Sequence, residues 1–179
     1  METYIAMLRG INVSCQKIIK MADLKNHLQE LNFFDVQTYI QSGNAVFNNK
    51  NVSHKILESK IANKILEEYG FEVAVIVKSP NELTEIIKKN PFTKDEDLNR
   101  LCVIFLSDEP TADNIKKLKS FDHRPEEYVL NGKTIYGYSP HGYGKAKMNN
   151  NFFENKLKVS ATTRNWKTVN KLAEMADSG

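Results

Sequence analysis

Three short polar segments contain the residue types that can bind an anion. The first is Arg9-Gly10-Ile11-Asn12, and the second is Gln41-Ser42-Gly43-Asn44. The third, Thr162-Thr163-Arg164-Asn165-Trp166-Lys167, is typical of a helix start, because threonine is a favourable N-cap residue. Arg164 and Lys167 would then lie in or near the first turn, where cations oppose the helix dipole at a cost of roughly 0.3–1 kcal/mol each. A bound anion would compensate for that cost.

Each segment also has an explanation that involves no ligand. Asn12 can bond its own backbone where a strand ends, and Gln41-Ser42-Gly43-Asn44 fits an ordinary hairpin turn. Arg164 can pair with an acidic side chain elsewhere. The sequence leaves both explanations open, and spatial convergence of the segments would favour a shared site. The candidate ligand-binding residues are Arg9, Asn12, Gln41, Asn44, Lys147, Thr163, Arg164 and Asn165.

Sequence motifs of well-understood chemistry are missing. Gly142-Tyr143-Gly144-Lys145 resembles a phosphate loop only faintly, since the spacing differs and Ala146 stands where a magnesium-binding hydroxyl would be. We interpret it as a flexible basic turn. The sequence has no G-x-S-x-G elbow and no G-x-G-x-x-G motif, and its four histidines lack metal-binding spacing. We therefore expect no metal site and no cofactor.

The elements that must position these segments follow a β-α-β-β-α-β order in the first half of the chain. Apolar or alternating runs predict the strands, and apolar residues at helical spacing predict the helices. Gly70 predicts the end of the second helix, because glycine is common just after the last helical residue. The predicted strands cover 3–8, 36–41, 45–47 and 71–77, and the predicted helices begin at Met21 and cover 52–69.

The second half is predicted to repeat this order after a connecting helix. Ser79-Pro80-Asn81-Glu82 is a capping box that opens the connecting helix, which ends at Asn90-Pro91. Asn131-Gly132 predicts a hairpin turn. The other predicted elements are a strand over 101–106, helices over 110–118 and 148–155, a short strand over 157–160 and a last helix from Thr163.

The element order predicts an α+β fold of two ferredoxin-like (βαββαβ) plaits, with antiparallel sheets and helices on one face. We place the first subdomain at 1–78, the connector helix and loop at 79–98, and the second subdomain with the C-terminal helix at 99–179. The two halves share the order of their elements but not their residues.

The composition bounds the possible environments and partners. The 179 residues carry a net charge of +3, from 25 basic and 22 acidic residues, which is too balanced for nucleic-acid binding by bulk charge alone. The two cysteines form no C-x-x-C motif, so a reducing compartment is the simplest interpretation. No signal peptide or membrane span is evident, and we expect a cytoplasmic location without a membrane partner. The oligomeric state is not indicated.

Aromatic residues on the first predicted sheet suggest one alternative partner. Tyr4, Tyr39 and Phe47 lie on neighbouring strands, and RNA-recognition domains of this fold stack bases on strand aromatics. The basic-glycine-aromatic signature of those domains is missing. Packing within the sheet explains the same rings.

Several segments resemble a bacterial family, domain of unknown function 1697. Its three signatures are similar to YIAMLRGINV at 4–13, YIQSGN at 39–44 and ATTRNW at 161–166. The resemblance runs nearly end to end and includes KMADL at 20–24 and KLAEMA at 171–176. The family's first motif usually continues with glycine after valine, whereas Ser14-Cys15 stands here. The resemblance implies a pair of ferredoxin-like subdomains and no established activity, so it transfers no catalytic residue.

The leading hypothesis is binding of an anionic, phosphorylated small molecule or nucleotide in a cleft between the subdomains, lined by the candidate residues above. An alternative is a cofactor-independent enzyme that uses the same cleft, where Arg9 and Arg164 would stabilise developing negative charge. A third hypothesis is an RNA-binding module on the first sheet. The sequence does not decide whether the chain is an enzyme.

Overall fold

Two four-stranded antiparallel sheets organise the chain. The computed structural model describes residues 1–94 and 97–178. One unit contains Met1–Glu85 together with the chain from Lys171, and the other contains Ile86–Asn170. Each sheet belongs to one unit and is described with it.

The first unit is a ferredoxin-like plait. Its sheet order is β2-β3-β1-β4, and all of its neighbouring strands are antiparallel. The helices pack on one face, because alternate residues of the first strand share a core cluster with the inner residues of both helices. Its elements are β1 (Glu2–Leu8), α1 (Met21–Glu30), β2 (Phe34–Tyr39), β3 (Asn44–Asn49), α2 (His54–Tyr69) and β4 (Val75–Lys78).

The second unit repeats the plait. Its sheet order is β6-β7-β5-β8, which matches β2-β3-β1-β4 position by position. The remaining helices are α3 (Pro80–Lys88), which precedes the sheet, and α6 (Trp166–Asp177), which follows it. The elements of the plait are β5 (Leu101–Leu106), α4 (Ala112–Lys119), β6 (Glu127–Asn131), β7 (Thr134–Tyr138), α5 (Asn150–Leu157) and β8 (Ala161–Asn165). The predicted fold class is confirmed.

The boundary between the two units falls within α3 and within α6. The limits expected from the sequence, with a connector at 79–98 and a second subdomain from residue 99, stay a prediction. The capping box that opens α3 forms as expected: the Ser79 N–H donates to Glu82 Oε2 at 2.8 Å, and the Glu82 N–H donates to Ser79 Oγ at 3.2 Å.

The C-terminal prediction was wrong in its boundaries. The last helix begins at Trp166 rather than near Thr163, and the last strand covers Ala161–Asn165 rather than 157–160. The reason is tertiary, because β8 pairs with β5 in a ladder that aligns Cys102 with Asn165 and Leu106 with Ala161. The chain reaches that ladder through Lys158, which ends α5 at a φ of 58°.

The hairpin between β6 and β7 forms one residue later than the sequence suggested. Asn131 and Thr134 are paired, so the two loop residues are Gly132 and Lys133. Gly132 has a φ of 59°, whereas Lys133 does not have a positive φ. Glycine at the first loop position is the requirement of a type II′ turn, which suits the twist of the flanking strands.

Membrane insertion was not expected from the sequence. In the described part of the chain, no helix combines the length and the apolar character needed to cross a bilayer.

Candidate functional site

Asn12 joins the first two polar segments. Its side-chain amide donates to the carbonyl oxygens of Ile19 at 2.9 Å and Gln41 at 2.8 Å, and its Oδ1 accepts the Ile19 N–H at 2.8 Å. One side chain therefore closes the loop after β1 and fastens it to the turn after β2. Asn12 and Gln41 meet as the single-site hypothesis requires, but Asn12 uses these hydrogen bonds on backbone groups of its own chain.

Asn44 and Gly43 have similar structural roles. Asn44 is fully buried, and its side-chain amide donates to Tyr39 O at 2.9 Å and to Ser42 Oγ at 3.0 Å. Gly43 has a φ of 81°, and a Cβ at this position would lie 2.6 Å from Ile11 Cδ1. The carbonyl oxygen of Gly43 accepts the Leu8 N–H at 2.8 Å. The Q-S-G-N segment is thus a tight turn packed against the end of β1.

The loop between β1 and α1 has an unusual backbone. Positive φ angles occur at Gly10, Asn12, Ser14, Cys15 and Lys17. The two central residues of the turn between Val13 and Gln16 are both left-handed, which is the type I′ geometry that normally selects Asn-Gly. Ser14-Cys15 therefore keeps the backbone conformation of a glycine-rich loop without its glycines. Such strain persists only where surrounding contacts hold it.

Basic residues concentrate in the same loop. Residues 9–20 contain Arg9, Lys17 and Lys20 and no acidic residue. The Arg9 N–H donates to Ala74 O at 2.9 Å, and Lys17 Nζ donates to Glu72 O at 2.6 Å, so the loop is also attached to the chain that enters β4. Lys20 is exposed at the N-cap of α1, where no side chain of the described residues caps the helix.

The third polar segment is a strand end followed by a helix cap. Asn165 is the last residue of β8, and its Oδ1 accepts the Thr168 N–H at 2.8 Å, so it caps α6. Thr163 Oγ1 donates to Asn150 Oδ1 at 2.7 Å. Arg164 precedes the cap and lies outside the first helical turn, whereas Lys167 lies in that turn as predicted.

Arg164 lies on the opposite face of β8 from Thr163 and Asn165, because side chains alternate along a strand. It is only 5% exposed, and its guanidinium donates to Thr162 Oγ1 at 2.9 Å and to Thr163 O at 2.8 Å. Burial lowers the pKa of Arg164 to about 10, and the nearby Tyr143 acts in the opposite direction. The guanidinium stays charged at neutral pH, and its position is that of a structural group.

Lys147 belongs to a segment that already binds a carboxylate of this chain. The backbone N–H groups of Lys147 and Met148 donate to Glu126 Oε1 at 2.7 Å and Oε2 at 2.9 Å. The Lys147 side chain is exposed. The segment that resembled a phosphate loop is therefore followed by two backbone N–H groups that bind an anion, the Glu126 carboxylate. The sequence analysis did not predict this role of Glu126.

The candidate residues divide evenly between the units. Arg9, Asn12, Gln41 and Asn44 lie in the first, near the ends of β1 and β2, where the Asn12 side chain bonds the Gln41 carbonyl. Lys147, Thr163, Arg164 and Asn165 lie in the second unit. Thr163 and Asn165 are on one face of β8, and Arg164 is on the opposite face. A single site built from all eight stays a prediction. Lys17 and Lys20 were overlooked, although the absence of acidic residues from 9–20 was visible in the sequence.

A cluster on α1 and α2 contains side chains of the types that commonly act as metal ligands. His27, Glu30 and Glu68 place one ligand atom each within 4.8 Å of one another. The Lys64 ammonium lies 2.7 Å from Glu30 Oε2 and 2.6 Å from Glu68 Oε1. These hydrogen bonds raise the pKa of Lys64, so its ammonium stays charged and is shared by both carboxylates. The cluster is an ion-pair network between two helices.

Two of the three aromatic residues named for base stacking, Tyr4 and Phe47, are core residues, whereas Tyr39 is half-buried. Tyr4 and Phe47 are 2% and 1% exposed, and they belong to the cluster under α1 and α2. Their rings lie 5.9 Å apart, and Phe47 also stacks on Phe33 at 4.4 Å. Bases cannot stack on rings that helices cover. Packing within the sheet therefore explains Tyr4 and Phe47, and the RNA-binding hypothesis loses two of its three rings.

Comparisons with other proteins agree with the fold and name no activity. A family model described as a protein of unknown function (DUF1697) matches residues 1–136. The solved structure of the conserved bacterial protein SP0830 from Streptococcus pneumoniae is similar over 98% of both chains, with a TM-score of 0.76 and 24% sequence identity. No curated protein gave a significant match. At this identity the solved structure supports the fold alone.

Proposed function

The chain belongs to the DUF1697 family of proteins of unknown function, and on that premise we propose that it binds a small phosphorylated molecule at the loop between β1 and α1. The observation that carries the proposal is the left-handed, cross-braced backbone of this loop, together with three basic residues and no acidic one. The predicted residues Arg9, Asn12 and Gln41 belong to this region. Arg164 is left out because it is buried.

The fixed backbone supports binding because it lowers the entropy that a ligand would have to remove. Asn12, near the start of the loop, bonds both backbone groups of Ile19 near its end, and Lys17 attaches the loop to Glu72 O. A left-handed backbone is costly for a residue other than glycine, and such strained residues cluster at ligand clamps and active sites. A loop held in this way keeps its backbone N–H and C=O groups in one arrangement before a ligand binds.

The start of α1 supports an anion as the ligand. In the described part of the chain its first N–H groups receive no side-chain cap, and Lys20 adds a positive charge at the N-cap. Backbone N–H groups and the helix dipole both favour negative charge at this end of a helix. Asp23 in the first turn opposes a bound anion. Removing the charge of Lys20 or of Asp23 should therefore change anion binding in opposite directions, which tests the site.

Thermal-shift measurements with inorganic phosphate, pyrophosphate and adenosine monophosphate test the proposal, with sodium chloride at matched ionic strength as the reference. We expect at least one phosphate compound to raise the Tm in a saturable way. Lys20→Ala should weaken that binding about tenfold, because it removes a charge-assisted contact. Asp23→Asn should strengthen it by removing the competing carboxylate.

Lys25→Ala is the matched control, because Lys25 is an exposed lysine on the same helix but beyond its first turn. It should leave the phosphate-induced shift unchanged. The proposal is wrong if phosphate compounds stabilise the protein no more than chloride does. It is also wrong if Lys20→Ala and Lys25→Ala weaken the shift equally, since the effect would then come from overall charge.

A further inference from the structure

Two of the four edge strands are covered by glutamates of the neighbouring helices. In the first unit, Glu58 of α2 accepts the N–H of Val77 in β4 at 3.0 Å. In the second unit, Glu154 of α5 accepts the N–H of Ala161 in β8 at 2.9 Å. Each bond occupies a backbone donor that would otherwise be open to another strand. Natural sheets commonly protect their edges in such ways.

The third edge strand, β2, is irregular. Its pairing with β3 shifts register between Phe34 and Gln37, and Asp35 has a φ of 50°. Asn48 donates to Asp35 Oδ2 at 2.9 Å, which holds the bulge in place. A bulge twists the edge and interrupts the row of backbone groups that another strand would need.

The described residues give the fourth edge strand, β6, neither form of protection. Its five residues pair with β7 in continuous register from Glu127–Tyr138 to Asn131–Thr134. Antiparallel ladders alternate between residues that bond to the neighbouring strand and residues whose backbone groups point away from it. Among residues 1–94 and 97–178, no strand lies on the outer side of β6. Val129, at its centre, is an apolar side chain that is 41% exposed.

An open groove of about 450 Å³ lies beside this edge, between β6 and α4. Ile115, Tyr128 and Leu130 give it an apolar lining. Glu109 and Lys119 also line it and belong to the two ends of α4, since Glu109 precedes the helix and Lys119 is its last residue. The groove is therefore acidic at one end and basic at the other.

We propose that a second copy of this chain docks on β6, with the two β6 strands antiparallel about a two-fold axis at Val129. Tyr128 would lie opposite Leu130 of the second copy, and the outward backbone groups of these residues would complete the ladder. Val129 would face Val129 of the second copy. The two sheets then join into one continuous sheet of eight strands.

The groove charges favour a second copy over an unrelated strand. A two-fold axis perpendicular to the sheet keeps both α4 helices on the same face and reverses their direction. Glu109 of one copy then approaches Lys119 of the other, and the same pair forms a second time by symmetry. Neither residue has a salt-bridge partner within the described chain. The groove beside β6 is thus complementary in charge to the same groove of a second copy.

Sedimentation velocity of the full chain, from micromolar to millimolar concentration, tests the proposal. The wild type should form a dimer, and Val129→Lys should weaken it about tenfold or more, because two ammonium groups would face each other on the axis. Phe34→Lys is the matched control, since Phe34 is an exposed apolar residue on the irregular edge β2. It should leave the dimer intact.

Charge reversal distinguishes this dimer from any other. Glu109→Lys and Lys119→Glu should each weaken self-association, because each places like charges together twice. An equimolar mixture of the two variants should recover the dimer, since the mixed pair has opposite charges at both contacts. A wild type that stays monomeric throughout overturns the proposal. A dimer that resists Val129→Lys, or single variants that the mixture does not rescue, overturns it as well.

Discussion

The polar residues that stand out in the sequence act first on their own backbone. Asn12 bonds the backbone of Ile19 and Gln41, Asn44 bonds Tyr39 and Ser42, and Asn165 caps a helix. Asparagine suits these roles because its short amide can accept and donate at once. Residue type alone therefore does not separate a ligand contact from a loop brace, since both need the same groups.

At the residue scale, substitutions of Gly43 and Gly10 by alanine distinguish the cost of steric crowding from the cost of a left-handed backbone. Both have positive φ angles, but only Gly43 is crowded: a Cβ there would lie 2.6 Å from Ile11 Cδ1, whereas a Cβ at Gly10 would meet nothing within 4 Å. Gly43→Ala should destabilise the protein by about 2–4 kcal/mol and Gly10→Ala by about 1 kcal/mol. Urea unfolding of both variants measures the difference. Equal losses would show that the packing of Ile11 against the turn contributes nothing.

The two cysteines should differ in reactivity. Cys15 is exposed in the strained turn, whereas Cys102 is buried in β5. Burial raises the pKa of Cys102 to about 12, and the nearby Glu126 adds to the shift, so the thiol stays protonated and unreactive. A thiol-specific reagent should modify one cysteine in the native chain and both in denaturant, and Cys15→Ser should abolish the native reaction. Rapid native labelling of Cys15→Ser would contradict the burial of Cys102.

At the scale of elements, β8 shows where local patterns fail. Ala-Thr-Thr-Arg-Asn has no alternation of apolar and polar residues, because both faces of β8 carry polar side chains and Arg164 is itself buried. Two threonines before a long amphipathic helix match a helix start equally well. The pairing with β5 decides between strand and helix, and that pairing joins residues far apart in the chain.

The position of the α6 cap can be measured. Asn165→Ala should destabilise the protein by about 1 kcal/mol, because it removes the acceptor of the Thr168 N–H. Lys167→Ala, at an exposed position in the first turn, should change the stability by less than about 0.5 kcal/mol. Chemical denaturation gives both values. An Asn165→Ala variant as stable as the wild type would show that the cap lies elsewhere.

At the scale of the whole molecule, each unit contains its own sheet and its own core cluster beneath two helices. The shared strand order gives each unit two edges, and the last strand of each is covered by a glutamate from the preceding helix. The two units differ at their remaining edges, where β2 is bulged and β6 is regular. That difference is the basis for expecting self-association through the second unit.

Self-association should appear in the stability of the whole chain. Because a dimer interface adds to the free energy of unfolding by mass action, the Tm of the wild type should rise with protein concentration. The Tm of Val129→Lys should rise less over the same range, because its dimer is weaker, and that of Phe34→Lys should rise as in the wild type. Calorimetry at several concentrations measures all three. A wild-type Tm independent of concentration would contradict the dimer.

The sequence by itself determined the α+β class, the repeated order of elements, the capping box of α3 and the glycine that ends α2 at Gly70. These features follow from periodicity and turn residues, which act over a few positions. Tertiary structure alone decided that Arg164 is buried, that Asn12 braces a loop, that Glu126 occupies the amides of Lys147 and Met148, and that β6 is the open edge. Each of these depends on which distant segments become neighbours, and strand pairing sets that only after the sheets have formed.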